Sequence, residues 1–103
     1  MNSENETGLV GELEKLLARQ LEFARRGSFS GMEQLAGKGE ELVAKITAAG
    51  LLEKPENKAG KERLEKLYRD LQLLLSTQKA DVAGQLKSID KGKRTLSVYR
   101  GNV

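Results

Sequence analysis

The sequence predicts an all-α fold: an antiparallel three-helix bundle whose third helix is either very long or broken near Gly84 into a fourth. Three observations predict it. Apolar residues recur at three- and four-residue intervals along most of the 103 residues. Hydrophobic residues make up 38% and charged ones 32%, with a single proline and 4% aromatics, the balance of a helical bundle rather than of a disordered tail or a sandwich. Helix punctuation falls between the periodic runs, in "RRG", "AAG" and the Pro55 to Asn57 segment.

The first run, Leu9, Val10, Leu13, Leu16, Leu17, Leu21 and Ala24, writes one helix face, with Glu12, Glu14, Lys15, Arg19 and Glu22 on the other. Arg25 and Arg26 suit its last turn, and Gly27 suits a left-handed C-terminal cap. A second helix starts within "SFSGME", capped either by Ser28 or by a Ser30 and Glu33 capping box. Its face is Met32, Leu35, Ala36, Leu42, Val43 and Ile46. Gly37 and Gly39 cost it on the order of 1–2 kcal/mol against alanine, for which close approach of another helix is one return.

After Pro55 and Asn57 comes the longest run: Leu64, Leu67, Leu71, Leu74, Leu75, Val82, Leu86, Ile89, Leu96 and Tyr99. As one helix it spans about 60 Å, against about 25–30 Å for each of the first two. The first two therefore cover it only to about Val82. A hinge at Gly84 would let the remainder fold back, and Gly92 weakens that remainder further. The cover for Val82, Leu86, Ile89, Leu96 and Tyr99 is then the chain's own bundle, a second copy in a homodimer, or another protein, and these five form the candidate partner-binding stripe. The domain reading is a disordered segment over 1–8, a single helical bundle over 9–99 and a short tail over 100–103.

Composition removes several chemistries. Without cysteine there are no disulfides, thiolate metal sites or cysteine nucleophiles, and without histidine the commonest general base and metal ligand are missing. Glu40 with Glu41 and Glu62 with Glu65 read as solvated helix faces rather than acid and base pairs. An enzyme clamping an anionic metabolite through Arg63 or Arg69 has little to stand on, because the interior positions are aliphatic apart from Gln20 and Gln78. The reading is a non-enzyme without cofactors or metals. The polar, acidic start "MNSENETG" and the lack of a long apolar run give a cytoplasmic protein with no membrane insertion. The net charge of +3 is uneven: Lys87, Lys91, Lys93, Arg94 and Arg100 against Asp90 give +4 over residues 87–103 and −1 before them. That cluster supplies the alternative, a small basic nucleic-acid-binding or regulatory protein, on a weak signal since Tyr99 is the one stacking aromatic beside it.

"LEKLLARQLEFARRGSFSGMEQLAGKGEELVAKI", Leu13 to Ile46, resembles the small flagellar export chaperones of the FlgN and FliT type. Ala24, Arg25, Arg26, Gly27, Ser28, Phe29 and Leu35 match that family's step from an alanine-basic-glycine helix end through an aromatic into a second leucine-rich helix. "ERLEKLYRDLQLLLSTQKADVAGQLKSIDKGKRTLSVY" is similar to its long final helices with a basic, tyrosine-containing end. The resemblance implies a bacterial cytosolic chaperone without catalysis. Such a protein binds helical terminal segments of a filament cap or hook-filament junction protein, prevents premature assembly and delivers them to the type III export apparatus. It also implies a C-terminal helix that occupies the client surface when no client is present.

Overall fold

The computed structural model describes the backbone of residues 2–78 and 82–101 and the side chains of residues 8–78 and 82–96. Four helices carry it: α1 (Asn2–Arg25), α2 (Phe29–Ala48), α3 (Lys58–Ser76) and α4 (Ala83–Gly101), with two short 3-10 turns, Leu51–Glu53 and Pro55–Asn57, between α2 and α3. Where composition predicts an unstructured segment over 1–8, α1 runs from Asn2. A helix nucleated on the packed Leu9 to Ala24 face lengthens outward at one hydrogen bond per added residue.

α1 ends as its sequence dictates. Gly27 has a φ of 74°, and two bonds close the left-handed cap: Ser28 N–H donates to Phe23 O at 2.8 Å and Gly27 N–H to Ala24 O at 3.0 Å. α2 follows after Ser28, which occupies the N-cap position without a side-chain capping bond, while Ser30 lies within the helix. The two helices are antiparallel and close. A Cβ on Gly31 would stand 2.7 Å from the Phe23 ring, and one on Gly39 3.3 Å from Leu16 Cδ2. Gly37, by contrast, has nothing within 4 Å of its virtual Cβ, so only Gly39 of that pair gains from a close approach. Gln20 is buried against the same seam, its Nε2 donating to Met32 O at 3.1 Å, a bond that fixes the register of α1 on α2.

The very long third helix does not form. α3 stops at Ser76 after 19 residues, about 28 Å and thus matched to its neighbours. Its end is written in hydroxyl side chains that take the last carbonyls: Ser76 Oγ donates to Leu73 O at 2.8 Å and Thr77 Oγ1 to Leu74 O at 2.7 Å. α4 begins at Ala83, with Leu86 N–H donating to Val82 O at 2.9 Å. The interruption therefore precedes Gly84. That residue sits in the first turn of α4, exposed and without a positive φ, so the turn does not use its conformational freedom.

The contacts give both order and direction. α1 packs on α2 and α3, and α4 on the same two from the other side, so the ring runs α1, α2, α4, α3. Glu14 meets Arg63 while Val10 meets Gly60, which makes α1 and α3 parallel. Gln72 meets Asp90 while Tyr68 meets Gly92, which makes α3 and α4 antiparallel. The chain from α2 to α3 must cross the bundle diagonal, and the first 3-10 turn does so in contact with all four helices. Its Leu51 is 1% exposed and plugs that end of the core, held by Asn57 Nδ2, which donates to Leu51 O at 2.9 Å. Buried side chains from Val10 to Ile89 form one apolar cluster, and among the described residues there is no strand and no helix long and apolar enough to cross a membrane.

Candidate partner-binding site

The stripe picked out by sequence lies on α4 and its entry, and the chain's own bundle covers it. Val82 and Ile89 are buried, at 7% and 4% exposure, and Leu86 and Leu96 are half-buried against the core. The side chain of Tyr99 lies outside the described residues. As it stands, then, the stripe is the fourth wall of a core, packed onto a seat beneath α4.

That seat is built from two helices and the crossover. α2 contributes Ala36, Gly39 and Val43; α3 contributes Leu64 and Tyr68; Leu52 closes the end near Leu96. Tyr68 stands at its centre, 3% exposed, and the periodic face Leu64, Tyr68, Leu71, Leu75 aims it inward. Burial pushes its phenol well above the usual range for tyrosine. Across from it Gly92 is buried, and a Cβ there would lie 2.8 Å from Tyr68 Oη and 3.2 Å from its Cε1. Gln20, Tyr68 and Ser88 edge a small cavity of about 20 Å³ beside this contact, room for one water.

The rims of the seat are polar. On the α3 side Gln72 holds two residues of α4 at once: its Nε2 donates to Asp90 Oδ1 at 2.5 Å, and its Oε1 accepts from Lys93 Nζ at 3.0 Å. On the α2 side Lys91 Nζ lies 3.7 Å from Glu40 Oε1. This exposed ion pair is worth at most about 1 kcal/mol.

Comparison with protein-family models, with curated proteins and with solved structures returns no match. The site therefore rests on its own geometry.

That geometry redistributes the roles read from sequence. Val82 at the entry to α4 and Leu86, Ile89 and Leu96 within it all pack against the core, whereas Gly84 is not the point of reversal. Tyr68, Gln72 and Gly92 were not singled out as site residues, although Tyr68 is legible as the i+4 partner of Leu64. The carboxylate pairs stay on the surface. Glu41 is exposed, and a hydrogen bond and charge from Lys38, with a further contribution from Lys45, hold its carboxyl below its ordinary value. Arg63 is engaged by Glu14, Nε to Oε1 at 2.6 Å and Nη2 to Oε2 at 3.3 Å, a forked pair that ties α3 to α1. Among the described residues no group of three His, Cys, Asp or Glu is placed to hold a metal ion.

Proposed function

We propose that this chain is a helix-binding chaperone of the flagellar type III export kind, acting in the cytoplasm, whose α4 occupies the client seat between deliveries. The observation that carries the reading is the asymmetry of burial. Among the described side chains, α1 commits Val10, Leu13, Leu16, Leu17, Leu21 and Ala24 to the core, whereas α4 and its entry commit Val82 and Ile89 in full. At about 1.5–3 kcal/mol for each fully buried aliphatic side chain, the described part of α4 is held less firmly than α1. It also carries Gly92 in its interior, at a cost of about 1 kcal/mol against alanine. Its departure would uncover Val43, Leu64 and Tyr68, a face suited to an amphipathic helix from a cap or hook-filament junction protein.

The test is binding of labelled helical terminal segments of such proteins to the full chain and to its Leu86→Asp, Ile89→Asp double variant, with folding of both followed by circular dichroism. Undocking α4 removes the competitor, so the variant binds at least about tenfold more tightly. A folded variant that stays indifferent to every such segment overturns the proposal.

A second reading draws on a separate observation. Lys87, Lys91 and Arg94 are exposed at i, i+4 and i+7, along the outward face of α4. A polyanion partner would use that ridge, with steeply salt-dependent affinity lost on neutralising Lys91, Lys93 and Arg94 while the apolar seat is left intact.

A further inference from the structure

Gly92 is an odd residue to find at the middle of a buried helix face. Glycine there weakens α4, yet the position is in full contact with its neighbours. The reason lies opposite. A Cβ at this point would stand 2.8 Å from Tyr68 Oη, closer than real Cβ atoms come, and 3.2 Å from Cε1 and 3.3 Å from Cζ, tighter than ordinary contact. Tyr68 has little freedom to give way, being 3% exposed and set between Leu64 and Leu71 of the core face. Gly39 of α2 borders the same small cavity as Gly92.

We infer that the seat reads the sequence of whatever helix fills it: the occupant must carry glycine opposite Tyr68, three residues after one buried aliphatic and four before the next, as Ile89, Gly92 and Leu96 do in α4. The partner class is thus narrower than amphipathic helices in general. It is the subset with a glycine notch in the apolar face, with an acidic residue two positions before the notch and a cation one after it, where Asp90 and Lys93 meet Gln72. This specificity rests on the helix-binding reading above and adds a requirement to it.

The probe is a labelled peptide of residues 82–101 offered to the full-length chain carrying Ile89→Asp, whose own α4 no longer competes. A second peptide carries Gly92→Ala. Alanine favours the helix, so a seat indifferent to the notch binds the second peptide about fivefold more tightly. A seat that reads the notch binds it at least about tenfold more weakly, and the sign of the difference decides. Equal or tighter binding of the alanine peptide overturns the inference while leaving the helix-binding reading intact. Failure of both peptides to bind the folded variant removes that reading and the inference with it. Should the Ile89→Asp chain not fold, the same question is put in cis by thermal melting. Gly92→Ala lowers the melting temperature of the otherwise unchanged chain and raises it in a Tyr68→Leu background, whereas a loss of the same size in both backgrounds overturns the inference.

Discussion

Tyr68 shows how one residue can serve the core and a specificity contact together. Its ring fills the space between α3 and α4 where Gly92 leaves room, and its burial disfavours the phenolate. Because the folded-state pKa lies above the ordinary value near 10, the fold binds the phenolic proton more tightly than the unfolded chain does. The associated stability is whole below pH 10 and is lost as the pH rises above it, at up to about 1.4 kcal/mol per pH unit. Urea denaturation at a series of alkaline pH values should show this slope in the natural chain and a shallower one in Tyr68→Phe; equal slopes would assign the alkaline lability to other groups.

The first 3-10 turn is short, but four helices meet on it. Leu51 fills the end of the core where the chain crosses the diagonal, and Asn57 satisfies its carbonyl. Leu51→Ala should therefore cost about 2–5 kcal/mol, the range for a fully buried leucine that leaves a cavity, read as a shift in the denaturation midpoint. A loss below 1 kcal/mol would show that the end of the bundle closes without it. This element was not legible as a plug, because a leucine pair in a linker carries no periodicity. α1 and its cap were legible, since the Leu9 to Ala24 spacing and Gly27 are local signals. The sequence left open whether α3 ran on or broke near Gly84 into a fourth helix, and set that break too late, for a physical reason: Leu75, Val82, Leu86 and Ile89 keep helical phase across the reversal. Periodicity cannot see a chain that turns back without losing step, and the informative signal was the hydroxyl pair Ser76 and Thr77. The contacts of Gly31, Gly60 and Gly92 were not legible either, because each is made with a side chain of another helix.

At the scale of the molecule, α4 acts as the cover for a three-helix remainder, so the assembly state should depend on it. Light scattering on the full chain should give a monomer, and a version ending at Gln78 should self-associate through the uncovered Val43, Leu64 and Tyr68 face. A folded monomer after truncation would mean that the remainder closes over its own core. The ring order has a second consequence, an electrical one. In a bundle whose neighbours all alternate in direction, the partial charges at helix ends alternate too and largely cancel around each end. Here α1 and α3 run side by side in one direction and α2 and α4 in the other. Towards the end closed by Leu51, the N-termini of α3 and, about two turns further out, α1 lie along one edge, each worth about half a positive charge, and two C-termini of opposite sign lie along the other. The opposite end carries the reverse arrangement. The backbone alone thus gives each end a transverse polarity, so a charged partner approaching along the bundle axis meets an attractive edge and a repulsive one.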